Sequence, residues 1–188
     1  MAPRWPTHTL KLPRGRSREA MSFLAQLDDQ SRRMLANLKG ITAAELRWQA
    51  KPGQNTIGML LAHIAVVEVY WLQVAMQDVS EPKLEKVLGM GFDDGLPLPP
   101  NGRPPAPLNG RTFAFYAKLL AKARKNSHSI LRTWSDADFE RVVWRTRRNG
   151  DRSRQSLRWI VYHMLEHLAG HYGQVLLMRH QYRDRRKQ

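Results

Sequence analysis

This sequence predicts an all-α protein built as a four-helix bundle, and three observations support the prediction. Four stretches, starting near residues 17, 56, 111 and 155, carry apolar side chains that return every three or four positions. No segment sustains the period-two alternation of a half-buried strand. Residues 78–108 form a long connection, and the part reading GFDDGLPLPPNGRPPAPLNG is rich in Pro, Gly and Asn, so it suits neither helix nor central strand. Crossing the length of a bundle is an adequate reason for so long a connection.

The elements follow in order. Residues 1–16 have prolines at 3, 6 and 13 and little periodicity, an irregular basic arm. Ser17 caps a first helix to about Leu38, with Phe23, Leu24, Leu27, Met34, Leu35 and Leu38 on one stripe and Gly40 as its stop. Thr42 and Glu45 have the spacing of a capping box and start a short helical turn, after which Leu46 and Trp48 pack back. Pro52 and Gly53 break the chain, and Asn55 or Thr56 caps a second long helix to about Gln77. Its apolar residues run nearly all round, so it has neighbours on more than one side. The third helix covers about Arg111 to Thr133. Ser135 and Asp138 then repeat the capping pattern, with Phe139 and Trp144 echoing Leu46 and Trp48, a weak internal repeat of helical hairpins. Arg145 to Arg154 reads as a hairpin loop or irregular crossing. The fourth helix runs from about Gln155 to Tyr182, and a basic tail, residues 183–188, closes the chain. One domain over 17–182 accounts for the 188 residues.

Composition narrows the function classes. Without cysteine there is no disulfide, no thiolate metal ligand and no cysteine nucleophile. The formal charge of +15 invites a nucleic-acid or anionic-membrane reading. However, the basic residues gather in the N-terminal arm, in Arg141–Arg158 and in the tail rather than on one helix face, which favours solubility and weak anion attraction. The start lacks the apolar core of a secretory signal, and the expected location is cytoplasmic. Ile57 to Met76 has the length of a membrane span, but His63, Glu68 and Gln73 near its middle make it a buried bundle helix instead. No membrane span is expected.

The chemistry gathers on the last helix. His163, His167 and His171 are four residues apart, a slowly drifting row beside the apolar face. Two imidazoles at i and i+4 can reach one ion, as in H-E-x-x-H. His163 and His171 lie about 12 Å apart along the axis, too far to share one ion. The pair is therefore 163/167 or 167/171, and a third ligand has to come from another helix. His63, inside the apolar run of the second helix, offers it. Bundle cores build metal sites from facing helices, and three histidines with an open fourth position suit catalytic Zn²⁺, with Ni²⁺ or iron also compatible.

NTIGMLLAHIAVVEVYWL (55–72) and HLAGHYGQ (167–174) carry a resemblance. In these two motifs, H-x-x-x-x-E-x-x-W and H-x-x-x-H-x-G-Q, the chain resembles the DinB/YfiT-like superfamily of metal-binding four-helix bundles, in its DUF664-type branch, over roughly residues 17–182. The resemblance implies an up-down-down-up bundle with 78–108 as the crossover. It also implies a divalent metal on His63, His167 and His171, and a homodimer. Members with assigned activity are mostly thiol S-transferases using low-molecular-weight thiols, or a maleylpyruvate isomerase. Some relatives of the DUF664 type have an acidic residue at the position of His167 and bring the position of His163 into play. Here both are histidine.

Around this site, His163 is expected as a hydrogen-bond donor behind a ligand or a substrate contact, and Gln174 as the group orienting a ligand histidine or a bound water. Glu68 and Glu166 are read as solvated or salt-bridged, Trp71 and Trp159 as core, and Gly170 and Gly173 as allowing close approach of a neighbouring helix or partner. The expected function is metal-dependent thiol S-transfer or hydrolysis, through metal-bound thiolate or hydroxide. The competing reading is a non-catalytic basic helical module with a structural metal, binding nucleic acid or a protein.

Overall fold

The computed structural model describes residues 8–98 and 102–185; residues 1–7 of the expected arm and 186–188 of the expected tail lie outside them. The described chain is mostly helical. Its elements are α1 (Arg18–Asn37), α2 (Ala43–Arg47), α3 (Ile57–Ala75), α4 (Glu81–Leu88), α5 (Phe113–Leu131), a hairpin of β1 (Val142–Thr146) and β2 (Arg152–Ser156), and α6 (Leu157–Asp184). Short 3₁₀ turns occupy Asp93–Gly95, Ala106–Leu108 and Asp136–Glu140.

Caps set most of the starts. Ser17, Thr56 and Ser156 each accept from a backbone N–H three residues on, at 3.0–3.1 Å. Thr42 and Glu45 close the expected capping box on α2. Ser135 and Asp138 close the second box, but on a 3₁₀ turn. Glu45 is then gripped from α6 by Arg179, whose guanidinium also donates to the carbonyls of Asn37 and Lys39 at the end of α1, where a cation is favoured.

The four long helices share one core. α3 packs on α5 and α6, and α1 packs on the same two. Every residue of α3 is buried except His63 and Tyr70, which are half-buried. α3 is long and apolar enough to cross a membrane, but it lies 89% buried inside the protein. Its one buried carboxylate, Glu68, takes two hydrogen bonds from Arg124 of α5 (2.9 and 3.0 Å) and one from Ser127. Arg124 reaches on to Asp28 and Ser31 of α1, so one guanidinium joins three helices. The salt-bridged alternative for Glu68 is therefore the observed one.

Two segments differ from the sequence expectation. Val142–Thr146 and Arg152–Ser156 pair as antiparallel strands, with Val142 opposite Ser156 and Thr146 opposite Arg152, so the protein is not purely helical. Gly150 takes φ +86° in the connecting turn, a conformation suited to the Asn149-Gly150 pair. The alternation was hidden because Arg145 occupies an inward position of β1. Residues 78–108 are also not one irregular connection. α4 begins at Ser80 with Pro82 in its first turn and stops at Gly89, whose φ is +76°. α6 continues through Asp184, two residues into the expected tail.

One aromatic expectation fails as well, and a second tryptophan is also exposed. Trp144 stands 47% exposed on the outer side of β1, under Arg152 and Arg154, and Trp159 is 41% exposed at the start of α6; neither is core. Trp71, Leu46 and Phe139 are buried as expected.

Candidate metal centre

α3 and α6 lie side by side, and their facing imidazoles meet. His63 is placed near the start of α3 by the Thr56 cap. His167 and His171 follow one another by one helical turn in the middle of α6. One nitrogen from each of the three falls within 4.8 Å of the others. The closest pair is His63 Nε2 and His167 Nε2, 2.9 Å apart, and the rings of His167 and His171 lie 4.3 Å apart at 73°.

The outer nitrogens are held from behind. His63 Nδ1 donates to the carbonyl of Gly95 at 2.5 Å, and His171 Nδ1 donates to Gln174 Oε1 at 2.7 Å. Both acceptors are oxygens, so both Nδ1 atoms carry the proton and both Nε2 atoms keep a lone pair. A ligand histidine is prepared in this way: the outer N–H fixes tautomer and ring orientation while the inner nitrogen stays free to coordinate.

Burial favours the neutral form of two of the three rings. Burial, then the neighbouring imidazoles of His171, His63 and His163, push His167 down from 6.5 to about 3. Burial likewise lowers His63, against the pull of the Gly95 carbonyl. Neutral imidazoles are the form a cation requires. The donor set, three nitrogens with two orientations already fixed, fits a divalent ion.

His163 lies outside the cluster. Its ring stacks on Trp159 at 4.8 Å and 6°, and meets Trp71 edge-on at 5.1 Å. Glu166 approaches its Nδ1 at 3.4 Å, on a largely exposed side chain. Gly170 and Gly173 face open space: among the described residues, nothing beyond their own helix's adjoining backbone comes within 4 Å of an added Cβ, and no neighbouring helix packs on them. The carbonyl of Gly95 is the participant that sequence could not point to, because a backbone oxygen carries no residue signature. Tyr70, seven residues after His63 on the same side of α3, could have been found from helical spacing.

A family model described as Mycothiol-S-transferase matches residues 22–184. No curated protein matches the chain.

Proposed function

Because the chain belongs to the mycothiol-S-transferase family, within the DinB/YfiT-like superfamily, we propose that it transfers a low-molecular-weight thiol, mycothiol or a relative of it, to an electrophile. His63, His167 and His171 would hold a divalent ion, Zn²⁺ or Ni²⁺ with iron also compatible. When bound, such an ion supplies acidity to a thiol that binds it, so that a thiolate nucleophile is available at neutral pH. The observation that carries this reading is the pair of backed imidazoles, His63 on Gly95 and His171 on Gln174, with their lone pairs turned inward.

The chain's own residues bind and orient. Gly95 and Gln174 hold two rings in place, while Trp71 and Trp159 clamp His163 beside the site, where it can contact substrate. The thiol has to come from solution, since the protein has no cysteine. In the reaction the thiol S–H bond breaks with its proton passing to solvent, a carbon–sulfur bond forms, and the bond from that carbon to the leaving group breaks, the group departing as an anion with the electron pair. A cytoplasmic location suits this chemistry, because free thiols stay reduced there.

The finer structural readings belong to the same proposal: the DUF664-type branch, an up-down-down-up bundle with 78–108 as its crossover, and a homodimer. The packing of α1 and α3 against both α5 and α6 supports the bundle. The exposed α6 face of Trp159, Tyr162 and Leu177, with Gly170 and Gly173 open beside it, supports the dimer. The basic-module alternative loses ground because Arg141, Arg148 and Arg158 pair with Asp138, with Glu81 and Asp93, and with Glu19 and Glu140.

The test is disappearance of mycothiol and of a reactive aryl halide in the presence of untagged, metal-loaded protein. Metal-dependent loss of both supports thiol transfer. Loss of the halide without the thiol indicates hydrolysis, and no metal-dependent loss of either overturns the reading.

A further inference from the structure

A cavity of about 530 Å³ opens between the hairpin, α3 and the start of α4. That is within the range of small-molecule sites. Tyr70 and Phe92 form its aromatic floor, with ring centroids 4.8 Å apart, and Leu84 and Leu96 add aliphatic surface.

The cavity lies two turns along α3 from the cluster. Tyr70 lies seven residues after His63, about 10.5 Å along the helix and about 20° short of two full turns. These are the two half-buried residues of α3, and they share one face of it, with buried Val66 and Val67 between them. The segment that supplies the Gly95 carbonyl to His63 continues into Leu96 on the cavity wall. Trp71, next to Tyr70 on α3, has His163 against one side and Arg145 over its ring at 4.7 Å.

Arg145 is the unusual residue. It is on the inward side of β1, two residues after buried Val143, where an apolar side chain would normally sit. Its Nε donates to Tyr70 Oη at 3.1 Å, and its guanidinium stacks over two aromatic rings. Among the described residues it has no carboxylate within ion-pair distance, whereas neighbouring Arg148 has two, Glu81 and Asp93. The Nε–Tyr70 bond fixes the plane of the fork, leaving its terminal N–H groups for a planar, two-oxygen acceptor. Arg147 adds a second cation at the rim.

From this arrangement we infer that the cavity binds an apolar, aromatic-bodied carboxylic acid, held through its carboxylate by Arg145. This site does not rest on the thiol-transfer reading. The apolar body lies on Tyr70 and Phe92, and the carboxylate meets the guanidinium.

The probes are phenylacetate, its uncharged amide and acetate, titrated calorimetrically against wild type, Arg145→Met and Val79→Trp. Met keeps the packing of the arginine stem, and Val79 stands 52% exposed on the cavity wall, so a Trp there adds bulk to that wall. Phenylacetate should bind at least ten-fold tighter than phenylacetamide or acetate. Arg145→Met should erase the preference for acid over amide, and Val79→Trp should weaken phenylacetate, with thermal midpoints held near wild type. His167→Ala should bind phenylacetate as wild type does, so a failure of the metal reading leaves this measurement intact. Equal binding of acid and amide by wild type, or an acid preference that survives Arg145→Met, overturns the inference.

Discussion

His63 Nε2 and His167 Nε2 face each other across 2.9 Å, joining two helices at residues 104 positions apart. Because the Nδ1 proton of His63 goes to the Gly95 carbonyl, its Nε2 can only accept. In the metal-free protein His167 must then carry its proton on Nε2. A cation at the cluster requires that nitrogen to be bare, so the neutral ring has to switch to its Nδ1–H form. Nitrogen-15 NMR of the histidines should show His167 changing tautomer on addition of Zn²⁺ while His63 stays Nδ1–H. An unchanged His167 would contradict the assignment of that ring as a ligand.

Gly95→Ala tests the support behind His63. The added Cβ would sit 2.6 Å from Val66 Cγ2, and Val66 is a fully buried side chain that cannot swing away. The turn must shift and carry the carbonyl off His63. Metal affinity, read by competition with a chelator, should fall about 10- to 100-fold, as for loss of other groups that orient ligand histidines. Val66→Ala in the same chain should recover part of it.

Arg124→Met leaves the Glu68 carboxylate buried with only Ser127 to bond it. Breaking one side of a buried pair costs about 3–5 kcal/mol, measurable by urea unfolding. A double variant with Glu68→Leu should cost less than the sum of the two single changes. Metal stoichiometry should not change, since Glu68 sits about 140° round α3 from His63.

Glu45 makes stability depend on acid. Its burial alone would raise its pKa, but the Thr42 amide and the Arg179 guanidinium outweigh that and hold it below the ordinary 4.5. The unfolded carboxyl therefore takes up its proton at a higher pH than the folded one. The stabilisation is fully present above about pH 4.5 and is lost as pH falls through the folded value. Thermal melts between pH 6 and pH 3 should show a steeper decline for wild type than for Glu45→Gln.

The three imidazoles were legible in the sequence because helical geometry is periodic: a four-residue step puts His167 and His171 within reach of one point, and an inward His63 needs only a facing helix. The caps at Ser17, Thr42 and Ser135 were legible for the same local reason. The hairpin was not, since Arg145 takes the inward position that alternation reserves for an apolar residue, and its apparent use is in the cavity rather than in the core. α4 was masked by the Pro- and Gly-rich run that follows it, although Pro82 and Gly89 mark its two ends. Trp159 is expected in the core, yet it stands 41% exposed at the start of α6, with only one edge against Trp71 of α3 at 5.3 Å. Gly95 enters through a backbone carbonyl that only tertiary packing brings to His63.

Metal content tests the central claim most directly. The protein is purified without a histidine tag, dialysed against Zn²⁺ or Ni²⁺ at neutral pH, and analysed by mass spectrometry of the bound element. About one ion per chain in wild type, lost in His167→Ala with the fold preserved by circular dichroism, is the predicted result. Near-zero metal in wild type that neither ion restores, or full occupancy retained in His167→Ala, would contradict it.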